Sequence, residues 1–176
     1  MSPRFDAVLF DCDGVLVDSE PITNGLLRDM LAEAGWELSP QECMRIFLGK
    51  AVKDERARIE AHTGRPLTDE WLAGFRVRRN QLLVERLQPI ARAPQAVEAV
   101  HALYRGRIAC ASGADLGKVL LQFEKTGLTR WFEGRIFSGH DLPRSKPFPD
   151  VYLAAAAALD ADPARCAVVE DTVTGV

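Results

Sequence analysis

The chain has 176 residues, 47% of them hydrophobic and 27% charged, with a formal net charge of −3. That length suits one well-cored domain, or one domain carrying a smaller inserted one, and the composition is that of an ordinary soluble globular protein. No apolar run approaches the roughly 20 residues that cross a bilayer, and the N-terminus lacks the basic start and apolar middle of a signal peptide. A cytoplasmic enzyme or binding protein is therefore expected, with neither membrane nor nucleic acid as partner.

In chain order, residues 5 to 10 read as a short buried strand, which runs straight into Asp11-Cys12-Asp13-Gly14-Val15. From Ile22 the apolar positions Ile22, Leu26, Leu27, Met30, Leu31 and Ala34 recur at helical spacing until Gly35. Helical patterns follow at about 40 to 47, 51 to 62 and 68 to 88, with Gly64-Arg65-Pro66 as a break and Thr68 as an N-cap. Residues 19 to 88 thus read as wholly helical. After Pro89 strands alternate with helices: a helix from near Pro94, a strand at Arg107 to Ala111, and a helix from Leu116 to Thr126 ended by Gly127. A short strand at Arg135 to Phe137, a helix from Pro149 to about Leu159 and a strand at Cys166 to Glu170 complete the series. Such alternation predicts an α/β fold, a parallel sheet with helices on both faces.

Cysteines Cys12, Cys43, Cys110 and Cys166 form no CxxC pair, and three lie on or beside strand-like runs, which predicts reduced and mostly buried thiols. By the alternation of an extended chain, Cys12 should point into the core, away from Asp11 and Asp13. Charge is unevenly spread: residues 45 to 92 carry 11 Lys and Arg against 6 Asp and Glu, a net +5, leaving −8 elsewhere. Either a solvated helical surface or a basic lid over an acidic, metal-bearing base accounts for this.

In open parallel sheets ligands bind at the carboxyl ends of the strands. The first strand delivers Asp11 and Asp13 there, the second Ser112-Gly113, the third leads to Lys146-Pro147, and the fourth ends on Glu170-Asp171. Taken singly each has an ordinary reading. Two aspartates make a polar turn, Ser-Gly is a routine loop, and Glu170-Asp171 caps a helix. Together they bring carboxylates, a hydroxyl and a lysine to one edge. Two carboxylates this close repel unless a cation or protons offset them.

The motifs Asp11-x-Asp13-Gly14-Val15, Ser112-Gly113, Lys146-Pro147-x-Pro149-Asp150 and Glu170-Asp171-Thr172-x-x-Gly175 resemble those of the haloacid dehalogenase superfamily. The likeness is to the subfamily with an inserted helical cap, in the group of beta-phosphoglucomutase-like proteins and 6-phosphogluconate phosphatases. It implies a Rossmann-like doubly wound core at 1-18 and 89-176 with an all-helical cap at 19-88. It also implies a magnesium-dependent phosphatase acting on a small phosphorylated metabolite, a sugar or sugar-acid phosphate. Asp11 would be the nucleophile that forms an aspartyl-phosphate, and Asp13 the general acid and then base. Lys146 would neutralize the phosphoryl group and Asp11, while Gly14, Ser112 and Gly113 would cradle phosphate oxygens. Mg2+ would be held by the Asp11 carboxylate, the Asp13 carbonyl, Asp171 and Glu170. In the cap, Lys50 or Lys53 either contacts a distal anionic group of the substrate or serves surface solubility. His62, His101 and His140 receive no role. A monomer is expected, since a closing cap must move freely.

Against the mutases of this group, Thr23 stands where a histidine is usual, Asp115 where a lysine follows the serine motif, and Val52 where an arginine grips a second phosphate. These replacements favor hydrolysis over phosphomutase activity, and Asp13 argues against dehalogenation, which needs no leaving-group proton. Relatives continue for some 40 to 50 residues beyond the fourth motif. The resemblance therefore also raises the expectation that the C-terminal part of the core is missing, leaving an inactive, truncated ligand-binding domain as the remaining alternative.

Overall fold

The computed structural model describes residues 4–175. Four parallel strands form one sheet in the order β3-β2-β1-β4: β1 Ala7–Phe10, β2 Ile108–Ser112, β3 Ile136–Ser138 and β4 Cys166–Val169. Every residue of β1 and β2 is buried, so their continuous apolar sequences are those of strands covered on both faces. Registers such as Phe10 with Cys110 and with Val169, and Ser112 with Ser138, align the carboxyl ends of the strands along one edge. The α/β fold with a parallel sheet holds. Residues 5 and 6 stay outside β1, and there Asp6 is tied to Arg165 by two hydrogen bonds of 2.8 and 2.9 Å.

Contacts divide the chain into two compact units, one of Met1–Asp18 with Gln88–Val176 and one of Ser19–Leu87. The second is all helix: α1 Glu20–Glu33, α2 Pro40–Phe47, α3 Arg56–Thr63 and α4 Asp69–Arg86. It closes over its own core, with Leu27, Leu31, Phe47, Ile59 and Phe75 among the buried side chains. Ser39 and Glu42 form a reciprocal capping box on α2, and the Thr68 hydroxyl caps α4 by accepting from the Trp71 amide. The helix expected from 51 instead starts as a 3-10 turn, Val52–Glu55, whose Glu55 gathers both Lys50 and Arg58.

The sheet is covered by α5 Ala93–Leu103, α6 Leu116–Thr126, α7 Thr129–Phe132 and α8 Asp150–Ala158. The alanine-rich α8 lies on Leu9, Ala109 and Ala111 through Val151, Ala155 and Ala156, which small side chains permit. Phe123 of α6 and Phe132 of α7 pack together with ring centers 5.1 Å apart, and Phe132 meets Phe10 edge-on at 5.9 Å. The α7 segment was not expected, because four residues are too few to show helical periodicity. Among the described residues β4 is an edge strand pairing with β1 alone, and its Val168 and Val169 are 43% and 39% exposed. No helix among the described residues is long and apolar enough to cross a membrane.

Candidate active site

The chain leaves β1 and builds outward to one side through β2 and β3, then returns to the other side of β1 as β4. The topological switch point thus lies between β1 and β4, where an open α/β sheet forms its ligand crevice. Asp11 follows β1 and Glu170 follows β4, so the sheet order itself brings the two carboxylates together.

Carboxylate oxygens of Asp11, Glu170 and Asp171 lie within 4.8 Å of one another. Lys146 reaches into this group, its Nζ 2.7 Å from Asp11 Oδ1 and 2.8 Å from Glu170 Oε1. The lysine side chain is almost wholly buried and its ammonium stands 4.8 Å over the Tyr152 ring, a cation–π contact on a residue of α8. Its peptide bond to Pro147 is cis. Glu170 is fixed from its other oxygen: Oε2 accepts from the amides of Asp171 and Thr172, at 2.8 and 3.0 Å, and from the Thr172 hydroxyl. Those amides precede the 3-10 turn Val173–Gly175, which is capped instead by the Thr172 hydroxyl, accepting from the Gly175 amide at 3.2 Å.

One ammonium facing three carboxylates leaves the cluster negative. Burial pushes the Asp11 carboxyl up to about 7 against the pull of Lys146, with Asp13 and Glu170 adding to the rise. Burial opposes charge on Lys146 too, but Asp11 and Glu170 outweigh it and hold the lysine above its ordinary value. For Glu170, burial is overcome by Lys146 and the two backbone amides, and its carboxyl lies below the ordinary range. Asp171 is raised, by burial and then by Glu170. A divalent cation fits this set: the donors are all oxygen, they converge, and they carry more negative charge than Lys146 offsets.

Gly14 turns the chain with φ of +76°, and a Cβ there would fall 2.1 Å from Asp171 Oδ2. Only glycine lets the Asp171 carboxylate lie against the first loop. Ser112 ends β2 buried, its hydroxyl accepting from the Ala114 amide at 3.1 Å, and Gly113 faces the Lys146 chain, whose Cδ would be 3.8 Å from an added Cβ. Asp13 stands apart from the three-carboxylate cluster. Both its oxygens accept from Lys118 Nζ, at 2.9 and 2.8 Å, and Oδ1 accepts from Gln122 Nε2 at 2.8 Å. Lys50 belongs to the helical unit and pairs with Glu55 at 3.1 Å.

Lys118, Gln122 and Tyr152 escaped the sequence reading. Asp115 is the N-cap of α6, and one turn later Lys118 is the lysine that reaches Asp13. The available signal was a lysine and a glutamine four apart on a helix, each one residue before an apolar position, Val119 and Phe123. Cys12, Cys43 and Cys110 are buried and Cys166 half-buried, all free, and Cys12 turns inward as the alternation required.

A family model for haloacid dehalogenase-like hydrolases matches residues 5–176. The chain belongs to this family. It is 30% identical over 173 residues to 6-phosphogluconate phosphatase of Escherichia coli K12, covering 98% of this chain and 76% of that one. To hexitol phosphatase B of the same organism it is 33% identical, over 97% of this chain and 77% of the other. Among solved structures, a family hydrolase from Deinococcus radiodurans with bound phosphate and sodium superimposes with a TM-score of 0.75 at 33% identity, over 98% of this chain and 75% of that one.

Proposed function

We propose that this family member is a phosphomonoesterase that removes phosphate from a small sugar or sugar-acid phosphate through an aspartyl-phosphate on Asp11. The observation that carries the reading is the convergence of Asp11, Glu170 and Asp171 on Lys146 at the crevice between β1 and β4. Family membership and the phosphatase relatives support it.

In this reading Mg2+ is held by Asp11, Glu170 and Asp171 with the Asp13 carbonyl. When bound, it supplies positive charge that offsets repulsion between carboxylate and phosphate. Lys146 adds the protein's own positive charge and keeps Asp11 aimed. An Asp11 oxygen attacks phosphorus; the Asp11 O–P bond forms as the ester P–O bond breaks, and the Asp13 proton passes to the departing oxygen to give the alcohol. Water then attacks phosphorus, Asp13 takes back a proton, the Asp11 O–P bond breaks and phosphate leaves. The carboxylate form of Asp13 held by Lys118 is the one suited to this second half. Gly14, Ser112 and Gly113 serve the phosphate oxygens. The helical unit acts as the cap, and Lys50 is its proposed contact to the substrate's distal anionic group.

The test is phosphate release from a general phosphate ester in the presence of magnesium. Asp11→Asn is expected to abolish it while preserving the fold, and retained turnover in that variant would overturn the reading.

A further inference from the structure

We infer that Gln122 is a positioning residue for the proposed proton carrier: by donating to Oδ1 it holds the Asp13 carboxyl group in the orientation from which it serves the leaving group. The inference rests on the assignment of Asp13 as general acid. Lys118 contacts both Asp13 oxygens at nearly equal distance, so it does not distinguish them. Gln122 does, since its Nε2 donates to Oδ1 at 2.8 Å.

The glutamine is held for this task from its other end. Its Oε1 accepts from the Cys12 thiol at 3.2 Å, and its side chain is shut off from solvent. A carboxylate accepts and a thiol donates, so both contacts demand the same amide orientation, nitrogen to Asp13 and oxygen to Cys12. Cys12 lies between Asp11 and Asp13, so one buried relay links the turn carrying both aspartates to the helix that aims the second. A buried polar residue on the apolar side of α6 would otherwise be costly to keep.

Cleaving an alkyl phosphate requires the Asp13 proton, because the departing alkoxide is a strong base. A p-nitrophenyl leaving group departs as a stable anion and needs none. kcat/KM reports only the steps through release of the alcohol, so later hydrolysis of the aspartyl-phosphate does not enter. Gln122→Leu is expected to lower kcat/KM about tenfold or more for an alkyl phosphate and less than about threefold for p-nitrophenyl phosphate, as loss of general-acid alignment does. Cys12→Ala, which frees the amide to turn, should show the same selective loss, and Cys12→Ser, which keeps a donor to Oε1, should restore most of it. This pair decides the matter if thermal melts show Gln122→Leu unfolded. Equal losses on both esters, or none on either, would overturn the inference. Asp13→Asn run alongside separates the failures: without leaving-group selectivity there, the acid assignment falls and Gln122 with it. With selectivity there but not at Gln122, only the role of Gln122 falls.

Discussion

At the scale of single residues, the site is governed by more buried carboxylate than its one central ammonium offsets. Asp11 must shed its proton to bind a cation, and its carboxyl is pushed up to about 7 by burial. Magnesium affinity is therefore expected to rise with pH up to about 7 and level off above it, with as much as about one proton released per ion below that point. Calorimetric titrations at pH 6 and 8, in buffers of different ionization enthalpy, measure both. The linkage for folding has the opposite sign. Unfolded Asp11 ionizes in the ordinary carboxylate range while folded Asp11 holds its proton. Its contribution to metal-free stability therefore declines from there to about pH 7. Gly14 gives a second prediction at this scale. Gly14→Ala meets both a left-handed backbone and the Asp171 carboxylate, so it should cost about 1 to 2 kcal/mol in denaturant unfolding and weaken magnesium binding more than a general loss of stability would. Much of this was legible in the sequence, because Asp11, Asp13, Glu170 and Asp171 come directly after apolar runs and the segment after the third strand leads to Lys146. Lys118 and Gln122 were not, since they sit inside a helix whose polar positions look like surface until the sheet is packed beneath them.

At the scale of elements, local chemistry and tertiary packing divide the work. Helix ends were readable wherever a cap residue stands alone: Thr68 before α4, and Gly127, with φ of +71°, after α6. Ser39→Ala removes the hydroxyl that accepts from the Glu42 amide while its backbone N–H can still donate to the Glu42 carboxylate, and is expected to cost about 1 kcal/mol in urea unfolding, with Glu42→Gln costing less because its side-chain oxygen can still accept from the Ser39 backbone. The 3-10 turn at Val52–Glu55 was not readable. Its apolar spacing suits a longer helix, and the pairing of Lys50 and Arg58 with Glu55 appears only once side chains are placed. Register within the sheet was likewise beyond the sequence, as was the return of the chain from β3 across β1 to β4.

At the scale of the whole molecule, two cores serve two units. Leu31 is fully buried among helical residues, and Val151 packs on the sheet. Leu31→Ala is expected to cost about 2 to 5 kcal/mol and to raise hydrogen exchange chiefly in α1 and α4, while amides of β1 and β2 keep their protection. Uniform loss of protection would show instead that the two cores unfold as one. By itself the sequence determined the α/β class, the position of most elements and the residue types at the strand ends, because burial period and helix caps are local signals. Only the tertiary structure decided that β1 and β4 are neighbors, and hence that Asp11 and Glu170 share one lysine. It alone decided that α6 turns Lys118 and Gln122 onto Asp13, since both outcomes depend on contacts between residues more than 100 positions apart.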